Sequence, residues 1–500
     1  MLVFSLLCLI SWQRARVAPS RHPSVTGRFQ QTVGGLNHEW RFVFFLRHLG
    51  LYPVASTAAP NADSPDAARR LLEDSGSLRT EWAATVRVGD LGRVWLYMPD
   101  VWWRGSTRNP DVRPANALGF LVALGALFTS FWWIRQPLLG GILVALIGSD
   151  PFQIFEIFGR QNVFCWSITV AVVVLALHLP LLGPWPRSRR YLWAVPVVTG
   201  LLVATAQTVR PEPVAVLVSA VGSYLTLTSE RWRTRIALVA VLLTSHLATY
   251  GAWKKFYEHK IEESTRVVAE AGGRPYLGPR YILDHQTWTA LWEGLGDFDK
   301  KYGHQWNDWR AADAIRPLLR ERYGIEVPGQ SPTNKYATGA FWDEEGLYPK
   351  VAFDNYPHSQ AALREAVLQH VLGDPLWFLG IVAKRSGRVL TETTPVQLLL
   401  GDRAIPLPMS GIAALLVLGV LVGARAFWKA KLVAFGLSLS ILPLLVFSGL
   451  GATNSGLYHI IAAALLFGAP LAGGWAWLSR RICRGRAARL VKTASLRGTQ

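Results

Sequence analysis

Charge is what this sequence has least of. Only 17% of its 500 residues are Asp, Glu, Lys or Arg, against about a quarter in an ordinary soluble domain. With 51% hydrophobic residues and long uncharged runs, that deficit excludes an ordinary soluble fold and indicates a chain threaded through a bilayer. Cysteine is scarce as well: Cys8, Cys165 and Cys483 are all there is. Two lie in apolar segments and one in a basic tail, a distribution that suggests neither a disulfide framework nor a cysteine metal knuckle. No GxGxxG and no Walker pattern occurs, so the sequence offers no Gly-rich loop to cradle a nucleotide. Acids are outnumbered, 33 against 52 Lys and Arg, for a net charge of +19. In a soluble protein such an excess would suggest nucleic-acid binding. Here the arginines sit between apolar runs rather than on one polar element, so no nucleic-acid partner is expected.

What is present is a series of apolar stretches. The amino terminus, MLVFSLLCLISW (residues 1–12), reads as a short first membrane helix. Nine further stretches lie near 116–134, 138–156, 163–183, 191–209, 213–229, 236–253, 409–427, 432–450 and 457–478, each near the ~20 residues a bilayer requires. The second is the weakest, because Asp150, Pro151 and Glu156 enter its far end. The expected fold is therefore an all-α polytopic membrane protein of about ten transmembrane helices.

Lys and Arg set the expected orientation. Arg135, the Arg187–Arg190 group, Arg231, Arg233 and Arg235, and Arg425, Lys429 and Lys431 occupy alternate short loops. Under the positive-inside rule these loops and the C-terminus are cytoplasmic. The layout expected is then a first extracytoplasmic loop over 13–115 with interfacial helices and a six-helix block over 116–253. A large folded extracytoplasmic loop over 254–408, a three-helix block over 409–478 and a basic cytoplasmic tail over 479–500 follow. The setting is a bacterial inner membrane, and membrane lipids are the surrounding partners. Oligomeric state is left open.

In the large loop, LGDFDKKYGHQWNDW (295–309) gathers three aspartates, two lysines and a histidine among aromatics. Asp297 and Asp299 form a DxD, but with Lys301 at the next ligand position and no closing glutamate the stretch is no EF-hand. Two readings stand: a capped turn in a folded loop, or an acceptor-facing surface of Asp297, Asp299 and Tyr302. Further on, SQAALREAVLQHVLGDPLWFLGIVAKRSGRVL breaks at Gly373-Asp374-Pro375 into two helices, the second suited to lie along the outer membrane surface.

Charges at the outer ends of the apolar stretches call for a reason, since topology and desolvation both disfavour them there. Arg160, Arg210 and Lys254, with His459 at the outer start of the last stretch, are either snorkelling and paired side chains or a cationic rim that grips a lipid phosphate. In the first loop, Asp63 and Asp66 precede a short helix and suit N-capping or general-base chemistry, and Asp90 is a further loop carboxylate.

The stretch DSPDAARRLLEDSG, the terminal YHIIAAALLFGAPLAGG and the helix, Asp-Pro, helix, Lys-Arg segment ending in GIVAKRSGRVL together resemble the GT-C superfamily of integral-membrane glycosyltransferases. Ala67 and Ala68 stand where that family carries an aromatic, and the acidic pair is absent. The resemblance implies transfer of a sugar from a polyprenyl-phosphate donor to an acceptor on the extracytoplasmic face. Asp63, Asp66 or Asp90 would be the general base, and Arg210, Arg160 and His459 would stabilise the departing phosphate. No cofactor is assigned; a divalent cation is compatible, though no ligand cluster forces one, and no metal residues are assigned. A lipid-linked glycan polymerase or ligase, using an outer arginine or histidine, a flippase or transporter, and a non-catalytic membrane protein are the other readings.

Overall fold

The computed structural model describes residues 92–104, 112–149, 157, 165–186, 188–210, 213–270, 287–305, 307–324, 340–342, 347–349, 357–391, 394–400, 403–446, 456–468, 470 and 474. The first apolar stretch over 1–12, the Asp63–Gly76 segment and the basic tail lie outside the described residues.

Helix dominates. α1 (Arg93–Arg104) leads into α2 (Arg113–Trp133), α3 (Pro137–Ser149), α4 (Cys165–Leu182), α5 (Arg189–Gln207) and α6 (Pro213–Gly222), which ends in a π-helical turn over Ser223–Leu227. α7 (Trp232–Glu270) follows. Helices therefore lie within every apolar stretch up to 253, and they start for legible reasons. Pro114 sits in the first turn of α2, where its missing N–H is no loss. Ser188 caps α5 by accepting the Tyr191 amide at 3.1 Å.

Two helices are long and apolar enough to cross a membrane, Arg113–Trp133 and Trp232–His259, and a bent pair, Ser359–Gly373 with Pro375–Arg388, makes a third if counted as one span. The remaining apolar helices are shorter. α3 has 13 residues, about 20 Å of helix, short of the ~30 Å hydrocarbon core. Its described residues reach Ser149, and the Asp150-Pro151 pair that follows in the sequence lies outside them. α7 departs from the sequence reading in the other direction. Hydropathy ends its apolar stretch at 253, but the helix runs to Glu270 because KKFYEHKIEESTRVVAE contains neither Gly nor Pro to stop it.

Two helical hairpins turn in the same way. α2 and α3 are joined through Arg135, and α12 (Gly411–Gly423) and α13 (Phe427–Val446) through Arg425. Both arginines are left-handed, with φ 59° and 55°. In each turn the following amide reaches back to the helix, Gln136 to the Phe131 carbonyl and Ala426 to that of Leu421, both at 2.8 Å. This is a Schellman cap with arginine where glycine is the rule.

The apolar helices pack around one core that includes Phe131, Leu143, Leu175, Val203, Leu242 and Phe435, and α14 (Gly456–Ala463) joins it. Large apolar side chains on the outside of these helices, among them Leu118, Val122, Leu247, Leu416 and Val420, are exposed.

The segment between α7 and α12 builds a core of its own. α8 (Thr287–Gly294), α9 (Asp308–Tyr323), α10 (Pro357–Gly373) and α11 (Pro375–Thr391) close around Trp292, Leu295, Ile315, Leu319, Leu363 and Ile381. α11 also packs on α12 and α13, which ties this unit to the apolar block. Two antiparallel hairpins interrupt the all-helical pattern. β1 (Ala340–Trp342) pairs with β2 (Leu347–Pro349), and β3 (Thr394–Leu400) with β4 (Arg403–Met409) in the register Val396 to Leu407. Gly401-Asp402 separates β3 from β4 in sequence, a pair of the kind two-residue hairpin connections favour. β3 and β4 bury Val396 and Met409 in the main core beside α3 and α14.

Candidate functional site

Two polar centres emerge, one at a corner of the apolar block and one in the loop unit. The corner is sewn by a single close approach. The Gly92 amide donates to the Thr208 carbonyl at 2.9 Å, and a Cβ on Gly92 would lie 2.1 Å from Thr208 Oγ1 and 2.7 Å from its carbonyl carbon. Only glycine permits this contact. The seam sets α1 against the C-terminal end of α5 and the middle of α7. Trp95 Nε1 donates to the Tyr257 hydroxyl at 2.9 Å and Trp253 Nε1 to Thr205 Oγ1 at 3.1 Å. The rings of Trp95, Trp253, Phe256 and Tyr257 pack together, Trp253 on Tyr257 at 5.7 Å.

Arg210 stands at this corner, half-buried, two residues beyond Thr208. Lys254, exposed on α7, forms a long 3.8 Å pair with Glu258. On α1, Asp100 is buried and binds Arg104 one turn away. Asp63, Asp66, Asp90 and Arg160 lie outside the described residues, and His459 is described only as part of the α14 backbone. The structure thus places Arg210 just past the C-terminal end of α5 and Lys254 in the middle of α7, and it leaves Asp63, Asp66 and Asp90 outside the described residues.

The second centre gathers Asp297, Asp299 and Tyr302 where α10 meets α11. The two helices bend by 96° at the predicted break. Asp374 caps α11, its Oδ1 accepting the Trp377 amide at 3.1 Å, and Pro375 opens the helix. The turn after α8 clamps this elbow. Asp297 pairs with Arg385 at 3.0 Å, with both side chains almost wholly buried. Arg385 also donates to the Gly294 carbonyl at 2.6 Å. Asp299 accepts Trp377 Nε1 at 3.1 Å. Lys301 and Tyr302 both bind Asp374. Tyr302 is left-handed, φ 60°, and is held there by its flat stack on His370 at 4.5 Å. Asp297 is thus turned inward, whereas Tyr302 is open to solvent.

Two histidines complete the clamp, and their hydrogen bonds fix their protons. His304, fully buried, lies with Nδ1 2.9 Å from the Trp292 carbonyl. A carbonyl only accepts, so Nδ1 carries hydrogen and Nε2 of the neutral ring must accept. That nitrogen is 3.0 Å from His370 Nδ1, which is therefore the donor. His370 Nε2 is left with a lone pair and no protein partner among the described residues. Burial, with the neighbouring His370 second, holds the His304 pKa down at about 4. Burial also lowers that of His370. The Asp374 hydrogen bond raises the Lys301 ammonium, and Lys301 holds the Asp374 carboxyl below its ordinary range. Burial, opposed by Asp297, lowers the Arg385 guanidinium.

Chemically, this is a carbonyl, imidazole, imidazole chain ending in an open basic nitrogen. No local spacing announces it. His304 and His370 are 66 residues apart, and only the loop fold makes them neighbours. Among the described residues no group of three or more His, Cys, Asp and Glu is arranged to hold a metal ion.

The fold and these centres define a predominantly helical chain with two to three helices apolar enough to cross a membrane and a separately cored polar unit. No protein-family model, curated protein or solved structure matches it.

Proposed function

We propose that this chain is a multi-pass protein of a bacterial cell membrane, with about ten helices across the bilayer and its C-terminus in the cytoplasm. It transfers a sugar from a polyprenyl-phosphate donor to an acceptor on the extracytoplasmic face. The observation that supports this reading is the Gly92–Thr208 seam. It holds the chain two residues beyond Asp90 against the chain two residues before Arg210. A carboxylate and an arginine are the two groups the reaction needs. The acid takes the proton of the acceptor hydroxyl as oxygen attacks the anomeric carbon, and the guanidinium holds the phosphate that leaves. Asp63, Asp66 and Asp90 are the candidates for this role, and Asp90, two residues before Gly92 in the sequence, is the one tested first. The aromatic rings of Trp95 and Trp253, which are not fully buried, suit an amphipathic sugar or isoprenoid beside them. Lys254, Arg160 and His459 extend the cationic rim, with Arg160 and the His459 side chain assigned from sequence alone. Asp297 and Asp299 are structural in this scheme, and Tyr302 faces the acceptor.

The test is release of polyprenyl phosphate from a labelled polyprenyl-phosphate sugar by the full chain in nanodiscs. Loss of about a hundredfold or more is expected for Asp90→Asn, the range general bases supply, and a comparable loss for Arg210→Ala. Wild-type protein with no turnover on any such donor overturns the reading.

One observation favours a second reading, a ligase or polymerase of lipid-linked glycans. His370 Nε2 offers a base in the loop unit, and Leu372, Leu376 and Leu379 on the same elbow are exposed apolar groups suited to a membrane surface. If His370→Gln abolishes turnover while Asp90→Asn retains it, the second reading replaces the first.

A further inference from the structure

A donor and an acceptor with no protein partner among the described residues lie side by side in the centre of the apolar block. His178 on α4 is fully buried, and its Nδ1 sits 2.8 Å from the Val174 carbonyl one turn back. That contact puts the ring proton on Nδ1 and leaves Nε2 as a bare acceptor. Tyr224 is equally buried and belongs to the π-helical turn over Ser223–Leu227. Its hydroxyl, like His178 Nε2, has no hydrogen-bond partner among the described residues. The two rings are 5.0 Å apart and tilted by 53°, and Phe435 of α13 closes on His178 at 5.2 Å. A third polar group reaches the same turn of α4. The Tyr191 hydroxyl of α5 donates to the carbonyl of Leu177, the residue before His178, at 2.6 Å and keeps its own oxygen as an acceptor.

These groups are complementary rather than merely orphaned. The histidine lacks a donor, the tyrosine lacks an acceptor, and neither can turn to solvent. The imidazole is tethered by Val174, and the π turn, an insertion typical of functional positions in helices, fixes Tyr224. An unsatisfied polar group in hydrocarbon is strongly disfavoured. A molecule that accepts one hydrogen and donates two would satisfy the set.

We propose that one water molecule is bound where α4, α5 and α6 meet. It accepts from the Tyr224 hydroxyl and donates to His178 Nε2 and to the Tyr191 oxygen. Three bonds is the usual complement of a buried water. The site is a polar rivet between three helices that otherwise pack through apolar side chains, and it is independent of the sugar-transfer reading. It also accounts for a histidine inside an apolar stretch, where an ionisable residue needs a reason.

Tyr224→Phe decides the matter, because it removes one hydroxyl and nothing else. With a bound water the deletion breaks a satisfied network, and the folded-to-unfolded ratio of the full chain in detergent falls about five- to tenfold, as for loss of one buried hydrogen bond. With no water it deletes an unsatisfied hydroxyl, and the ratio stays level or rises; that result overturns the proposal. His178→Leu with Tyr224→Phe gives the second arm. In the wet site the double variant loses less than the two singles combined, because no polar group is left stranded. Should His178→Leu fail to fold, solid-state NMR of the wild type replaces it. Magnetisation passing from water to His178 Nε2 supports the site, and a free imine nitrogen with no water contact overturns it.

Discussion

Asp297 and Arg385, 88 residues apart in the chain, meet at 3.0 Å with side chains 1% and 2% exposed. The pair joins the turn after α8 to the middle of α11 and so holds the elbow closed. Taking two charges out of water is costly, and their attraction only offsets that cost while both remain. Asp297→Ala is therefore expected to lower the stability of the loop unit by about 3–5 kcal/mol. Asp297→Leu combined with Arg385→Met is expected to cost far less. Thermal unfolding of the three variants measures this, and a double variant as unstable as the single would refute the pair's role.

The histidine pair makes stability depend on pH in a defined direction. Both rings are held below the ordinary value of 6.5, His304 at about 4, so the unfolded chain takes up protons first on acidification. The stabilisation from keeping them neutral is complete above about pH 6.5 and is lost as pH falls toward about 4. Asp299 and the Trp292 carbonyl favour the charged form of His304 but do not outweigh burial. A plot of Tm against pH should fall across that window in the wild type. It should be flatter in His304→Gln, whose amide can still donate to Trp292 and accept from His370.

Gly92→Ala is expected to lower stability by about 1–3 kcal/mol, the range for overpacking a tight contact. The added carbon would meet backbone as well as the Thr208 side chain. Gly125→Ala on α2 is the control, because a Cβ there meets nothing within 4 Å. In the proposed reaction Gly92→Ala also reduces turnover, since it displaces the acid-bearing chain from Arg210. Unchanged stability in Gly92→Ala would disprove the seam.

Arg135 and Arg425 occupy left-handed turns that disfavour any residue with a Cβ by about 1–2 kcal/mol. Arg135→Gly should therefore raise thermal stability. The arginines are kept, on the orientation proposed above, because positive charge holds these turns in the cytoplasm. Cysteine labelling from either side of the membrane checks the second half. Should Arg135→Cys or Arg425→Cys prove accessible only from outside, the orientation is reversed.

The apolar segments were legible in the sequence because desolvation acts on composition, and composition is local. Helices lie within all nine stretches, and the Gly373-Asp374-Pro375 break is where the chain bends, since proline and a capping aspartate act on their immediate neighbours. Helix ends were less legible. Hydropathy marks where a helix leaves an apolar medium, and α7 continues past that point because its polar residues are still good helix formers.

The polar centres were a matter of tertiary structure. The 295–309 stretch reads as a folded loop or as an acceptor surface, and the fold separates its members: Asp297 is turned into a buried ion pair, and Tyr302 is left open. Which nitrogen of His370 is basic depends on His304 and on a carbonyl at Trp292, and that directionality has no signature along the chain. Gly92 against Thr208 is likewise invisible in sequence, because closeness between distant backbones comes from packing, not from composition. The sequence determined by itself which segments are apolar and that helices lie within them. Only the tertiary structure decided which of its few charges and histidines face one another, because hydrogen bonds and ion pairs act over a few ångströms that only folding closes.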